Sequence, residues 1–450
     1  MFRRFLHALR AIFTQRSVIL LYLPILAEQA MSTFVGFIST IMVGHAGSVA
    51  ISAVGVVNAL NNVIVFTLFS IASGVAAVAA QFLGAKQKER AERCIGQFCA
   101  AVLMVSVAIA ALLVLFSKPI LSFLFGAAEP EVLDAARIYL IAGALSMPFA
   151  AISSLLSATM RGCGNTRMPM ASALLINIVN TLLCWITIYG LEMGVTGASI
   201  SLVAARAAGA AFMLVLMFRP GFPLHLRKFF PIVWKDILPI LRIGVPMGLD
   251  TAMFNGGKLI VQVFMTGMGT YTIAANAVTQ SVVSLIEIPG NAMCTLAITL
   301  VGFSVGAGEF REARRHGWYT TLAASILQLI VCIPLWFTTP WFVGLFSTDP
   351  DVIRLSIVVT RSMVLTSPFL WSTAFTLASV LRSAGDVRYT VTSSLIIMWV
   401  VRVLLSWVFG VVMDGGLLGI WIAMYVDWAA RTALFVPRFK SKRWENRAVT

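Results

Sequence analysis

The chain has 450 residues, of which 59% are hydrophobic and only 11% charged. A soluble protein of this length needs a charged surface, and these residues cannot supply one. The net charge of +15 does not point to nucleic acid as a partner, because Lys and Arg sit in short loops between apolar runs.

Taken in order, the chain starts with a basic segment, MFRRFLHALRAIF, that looks like the start of a signal peptide. The apolar stretch after Arg16 is too long for one, contains Glu28 and has no convincing cleavage site, so it reads as a retained first span. Twelve spans follow from hydropathy, at about 18–43, 51–78, 95–117, 137–158, 170–189, 195–218, 238–265, 273–303, 317–338, 353–380, 390–411 and 417–436. The segment between the sixth and seventh spans is basic and proline-rich and reads as a linker. The domains expected are an N-terminal six-helix lobe at 1–218, a cytoplasmic linker at 219–237 and a C-terminal six-helix lobe at 238–450.

Lys and Arg crowd one set of loops. They include Arg3, Arg4, Arg10 and Arg16 at the N-terminus, Lys86 to Arg93, Arg161 and Arg167, the linker, Arg311 to Arg315, Arg382 and Arg388, and the tail from Arg438 to Arg447. The opposite loops carry Lys118, Arg137 and Arg354. By the positive-inside rule both termini are cytoplasmic, in a multi-pass protein of the plasma (inner) membrane.

The chain is written twice. At an offset of 222, Pro24 and Glu28 match Pro246 and Asp250, Gly47 matches Gly269, Trp185 matches Trp407, and Gly194 and Gly197 match Gly416 and Gly419. At 221, Arg161, Gly164 and Arg167 match Arg382, Gly385 and Arg388. Six spans is an even number, so the repeats are parallel. The expected fold class is an all-α integral membrane protein with twelve transmembrane helices in two parallel six-helix repeats.

At GAKQKERAER, MRGCGNTRMPM, GVTGASISLVAAR and LRSAGDVRYT the chain resembles the multidrug and toxic compound extrusion (MATE) family over nearly its whole length. The resemblance implies a V-shaped, two-lobe antiporter that expels cationic, amphipathic compounds in exchange for protons or sodium ions. Its partners are then small-molecule substrates and the lipid bilayer. A monomer is expected, with no cofactor beyond the ion gradient. Many members carry an Asp before a Thr in the first span, in a pattern like DTxMxG. Here Ser39 stands at that place, and a serine cannot carry a proton at physiological pH. Glu28 lies eleven residues earlier, roughly 16 Å along the same face. Either Glu28 does the coupling from another depth, or coupling has moved to the other half.

A carboxylate on a proline-broken span is costly in hydrocarbon and is a functional hypothesis by default. Glu28, Asp250 and Glu287 are therefore the expected ion-coupling or substrate-cleft residues. The alternative for each is an acid that satisfies carbonyls freed by the helix break. Pro289 and Gly290 follow Glu287, so exposed carbonyls could hold a sodium ion beside it, and Asp250 is a second candidate place for one. Lys258, Arg361, Arg402 and Asp427 also fall within spans and either line the cleft or form a charge network. Asn177 and Asn180, one turn apart, either line the N-lobe cavity or hydrogen-bond helix to helix.

Enzyme signals are absent. GGK at 256–258 lacks the spacing of a P-loop, no HExxH occurs, and the six cysteines form no CxxC pair. The competing function is a flippase for a lipid-linked precursor, whose anionic head group would suit Lys258, Arg361 and Arg402. Topology is directly testable: a membrane-impermeant thiol reagent added to intact cells should label a cysteine placed at Ala127 or Gly415. Labelling near Lys86 or Lys440 instead would invert the assignment.

Overall fold

The computed structural model describes residues 16–44, 48–125, 130–219, 224, 229–347 and 349–445. Arg3, Arg4 and Arg10 of the N-terminus, Gly47 of the repeat, Arg227 and Lys228 of the linker and Arg447 of the tail lie outside the described residues. Among the described residues the regular structure is entirely helical.

The first half contains α1 (Arg16–Gly44), α2 (Ser48–Gly84), α3 (Lys88–Leu115), a short α4 (Ser117–Phe125), α5 (Pro130–Gly162), α6 (Arg167–Cys184) and α7 (Gly194–Met217). The second half contains α8 (Trp234–Thr266), α9 (Thr270–Gly306), α10 (Phe310–Gly344), α11 (Pro350–Thr366), α12 (Leu370–Ser383), α13 (Val387–Ile396) and α14 (Gly416–Lys440). A wide π-helical turn, Trp185–Gly190, extends α6; two more, Ile397–Val403 and Val408–Val412, extend α13. Nine of the described helices are long and apolar enough to cross a membrane. Taken together, α11 and α12 are also long and apolar enough, with a bend of 52° at their junction. Each of the twelve spans drawn from the sequence falls on one of these helical stretches, while α4 had no counterpart in the hydropathy pattern.

Local chemistry starts and stops the helices. The Asp349 side chain accepts from the backbone N–H groups of Asp351 and Val352, and Pro350 supplies a first-turn φ with no orphan donor. Gly164 and its repeat equivalent Gly385 both take positive φ, 77° and 91°, which a side chain would resist. The turn at Glu192 has φ of 49° and its equivalent at Asp414 has 54°. The duplication therefore extends to backbone conformation.

Contacts divide the chain into two units. One unit comprises residues 27–248; the other comprises 1–26 and 249–450. This differs from the division at the 219–237 linker, because the first turns of α1 and of α8 each pack away from their own half. Tyr22 and Ile25 are buried with Ala292, Met293, Leu296, Ala323 and Ala324 of α9 and α10. In the other unit, Gln97 of α3 bonds the Asp236 carboxylate and the Val233 N–H, and the Ser70 hydroxyl donates to the Met247 carbonyl. Both crossings fall two residues after a proline, Pro24 in α1 and Pro246 in α8.

Outward-facing Leu115, Trp185, Phe218, Phe337 and Trp341 are exposed, an apolar surface suited to lipid. Inside the 27–248 unit, α2 and α8 touch backbone to backbone at Gly74 and Gly244. A Cβ on Gly74 would lie 2.8 Å from Gly244 Cα. Gly74→Leu should lower the melting temperature of the detergent-purified protein by several degrees. Gly344→Ala, whose added methyl meets nothing within 4 Å, should leave it unchanged.

Candidate functional site

The two matched acids of the repeat are both paired. Arg161 Nη1 lies 3.0 Å from Glu28 Oε1 and 3.3 Å from Oε2, and the Arg161 guanidinium also stands 5.9 Å from the Phe69 ring centroid. The Asp250 carboxylate accepts from Arg382 Nη2 in the same way. Arg161 closes α5 and Arg382 closes α12, so one ion pair recurs in each repeat. Arg161 and Arg382, counted above among the loop cations, are turned inward. Glu28 and Asp250, two of the expected coupling acids, are each paired with an arginine near a helix end.

Ser39, which replaces the usual first-span acid, accepts a hydrogen bond from Asn180 Nδ2 at 3.1 Å. Asn177 Nδ2 is buried with no partner among the described residues. Arg206 of α7 donates to the Ser146 hydroxyl at 2.8 Å. For Asn180 the helix-to-helix reading is therefore the one realised. An apolar cavity of about 280 Å³ in the same unit, walled by Ile71, Phe98, Leu155, Trp234 and Ile237, offers no charged group.

Charge gathers instead in a cavity of about 160 Å³ inside the unit that includes 249–450. Helical spacing builds it. Phe254 and Lys258 of α8 are one turn apart; Gln280, Val283, Glu287 and Asn291 form a stripe along α9; Trp371 and Phe375 come from α12; Trp421, Met424 and Trp428 come from α14. Arg402 enters from the π-helical turn 397–403, a widened turn of a kind frequent at functional sites. The floor of Trp371, Trp421 and Trp428 is buried, Arg402 is buried, Glu287 is half-buried, and Lys258, Gln280 and Asn291 are exposed at the mouth.

Three cations surround the ring of Phe254. Lys258 Nζ lies 5.0 Å from its centroid, and the guanidinium carbons of Arg402 and Arg431 lie at 5.3 and 5.6 Å. Arg431 is held from behind by the fully buried Asp427, with Nε–O distances of 3.2 and 3.3 Å, and donates to the Ser394 carbonyl. Asp427 is thus structural, paired to a residue that the sequence reading passed over although it stands at i+4. Arg361 lies outside this cavity, 5.3 Å from the Trp336 centroid. Glu287 differs from Glu28, Asp250 and Asp427: among the described residues it makes no ion pair within 4.0 Å, although Lys258 and Arg402 line the same cavity.

Side chains reach two carbonyls beside Glu287. Gln328 Nε2 donates to the Ile286 carbonyl at 3.3 Å, and the Tyr22 hydroxyl donates to the Pro289 carbonyl at 3.4 Å. Gly290 lets the floor close up, since a Cβ there would fall 2.2 Å from the Trp371 ring. At the two places named for a sodium ion, two carbonyls already accept one hydrogen bond each, two cations share the Glu287 cavity, and Arg382 pairs with the Asp250 carboxylate.

Two stretches, 24–186 and 246–408, each match the MatE family, start to start at the 222-residue offset of the repeat. The chain belongs to the MATE family of multidrug and toxic compound extrusion proteins. It is similar to the probable multidrug resistance protein NorM of Thermotoga maritima, at 28% identity over 97% of this chain and 94% of that protein. It is also similar to an uncharacterised transporter of Bacillus subtilis, YisQ, at 27% identity over 94% and 93%. Its fold matches an outward-facing multidrug resistance MATE transporter of the MOP superfamily, with a TM-score of 0.88, 19% identity and coverage of 95% and 96%. A MOP-superfamily transporter from Pyrococcus furiosus, described by the reverse polarity of its binding pocket, matches with a TM-score of 0.85 at 19% identity over 94% and 96%. This MATE chain is thus a multi-pass membrane transporter and not an enzyme.

Breaking one partner of a buried pair strands a charge, at a cost of roughly 3 kcal/mol or more. Glu28→Gln and Arg161→Gln should each lower the melting temperature of the purified MATE protein, and the double variant should recover part of the loss. A single Glu28→Gln protein as stable as wild type would return Glu28 to the coupling candidates.

Proposed function

We propose that this MATE chain is a secondary transporter that exports small amphipathic compounds bearing a positively charged group across the plasma membrane in exchange for protons. Glu287 is the group that carries the proton. The observation that carries this reading is the contrast among the membrane-embedded acids: Glu28, Asp250 and Asp427 are held by Arg161, Arg382 and Arg431, and Glu287 alone among these four lacks such a partner among the described residues. A carboxylate used for exchange must be able to give up its counter-charge in each cycle, and a tight arginine pair opposes that. The cations beside Glu287 and Asp250 favour the proton over sodium as the driving ion. Aromatic walls and Met424 suit apolar bodies of varied shape. Both termini are placed in the cytoplasm by the loop charges, and the working unit is a monomer.

A second reading, the flipping of a lipid-linked precursor, is favoured by Lys258 and Arg402 beside the cavity, and by the Pyrococcus furiosus relative of reverse pocket polarity. Proteoliposomes separate the two. Efflux of fluorescent amphipathic cations should follow an imposed proton gradient in the wild type and ignore a sodium gradient. Glu287→Gln should abolish that efflux while leaving the protein folded, because it removes a titratable group at nearly constant volume. Sodium-driven efflux, or an active Glu287→Gln variant, would overturn the assignment. Failure to move any cation, with movement of an anionic lipid, would favour the flippase.

A further inference from the structure

The charges in the Glu287 cavity are of both signs and are kept apart. Glu287 projects from α9, and Lys258 and Arg402 come from α8 and the 397–403 turn. No pair within 4.0 Å joins them among the described residues, so the cavity does not neutralise itself by direct contact. Lys258 and Arg402 are gathered at one ring, within 5.3 Å of the Phe254 centroid. A further donor lines the same cavity: Trp428 is 2% exposed, and its indole N–H has no acceptor among the described residues. A buried donor without an acceptor costs free energy until something supplies one. Phe254, Trp371, Phe375 and Trp421 supply aromatic walls to the same cavity.

A simple cation would gain Glu287 but meet Lys258 and Arg402; a simple anion would gain the donors but meet Glu287. A molecule with both charges, carried on an aromatic ring, meets Glu287 and the donors together. We infer that the cavity takes aromatic zwitterions, with the ligand ammonium against Glu287 and its carboxylate against Lys258, Arg402 and the Trp428 indole N–H. The cavity volume of about 160 Å³ suits one substituted benzene ring. This deepens the proposed function, since it rests on the same cavity being the substrate site and names the chemical class that it selects.

A matched series tests it on the full-length protein in detergent, by calorimetric titration. The probes are 4-(aminomethyl)benzoate, 4-methylbenzoate and 4-methylbenzylamine; each analogue keeps one of the two charged groups on the same ring. The zwitterion should bind roughly tenfold or more tighter than either single-charge analogue, the usual worth of a charge-assisted hydrogen bond. In Glu287→Gln the zwitterion should fall to the level of 4-methylbenzoate. In the Lys258→Gln/Arg402→Gln double variant it should fall to that of 4-methylbenzylamine. Arg402→Lys keeps the charge and should keep most of the preference, which guards against a variant that merely misfolds. Either analogue binding as tightly as the zwitterion would overturn the inference, as would a preference for the zwitterion that survives both sets of substitutions. Because binding is measured without a gradient, that failure leaves proton-driven efflux as a separate result.

Discussion

Charge in hydrocarbon must be neutralised, and the interior of this transporter is arranged around that constraint. Removing an ion from water costs several kcal/mol even after relaxation, so a carboxylate on a spanning helix is met by a guanidinium or made to work. Glu28 meets Arg161, Asp250 meets Arg382, and Asp427 meets Arg431. Arginine suits this task because its planar fork satisfies both carboxylate oxygens and stays protonated. The duplicated pairs link α1 to α5 in one repeat and α8 to α12 in the other. They pin the helices on which the two crossings occur. Pro24 and Pro246 loosen the backbone where α1 and α8 pass from one packing unit to the other, and the acids follow four residues later. Each break is therefore succeeded, about one turn on, by an electrostatic anchor.

The break in α9 is treated differently. Pro289 removes a backbone donor, yet the carbonyls nearby are taken by Gln328 and Tyr22. Gln328 is itself fixed by hydroxyl donors from Ser367 and Ser372, which sit at the bend between α11 and α12. The polar demand of one broken helix is thus met by a side chain that also reaches a second bend. Glu287 is left without such support, at the edge of a cavity rather than inside a network.

Much of this fold was legible in the sequence. The twelve spans show as apolar runs of sufficient length, and the repeat shows because proline, acid and glycine recur at one offset. The positive φ values at Gly164 and Gly385 explain why glycine is among the repeated residues. The ion pairs were not legible, since Arg161 lies 133 residues from Glu28 and looks like an ordinary loop cation at a helix end. Hydropathy cannot tell an arginine that faces the cytoplasm from one that turns back into the bundle. The exchange of first turns between units was equally hidden, because packing partners leave no trace in a window of one helix. Arg431 could have been found, since it stands one turn beyond Asp427 on a single helix. Arg402 was legible as a cleft or network cation, but the π-helical stretch 397–403 that carries it was not, because it contains no glycine or proline to announce it.

The sign of the substrate and the direction of coupling are linked through Glu287. A proton on this carboxylate removes one negative charge from a cavity whose other facing charges are Lys258 and Arg402, with the Arg431–Asp427 pair balanced behind Phe254. A purely anionic ligand would then bind better when the proton is present, and reciprocity requires that it also favour the proton. Ligand and proton would travel together, which is not exchange. A ligand whose ammonium needs the ionised Glu287 does the reverse, because proton and ligand compete for one group. The basic residues do not undo this competition. They add affinity at the other end of the ligand, farther from Glu287 than the ammonium, so their opposing effect on the proton is the weaker of the two. A single carboxylate can therefore set the direction of exchange while Lys258 and Arg402 set selectivity, and the cations that oppose a simple drug cation become consistent with antiport.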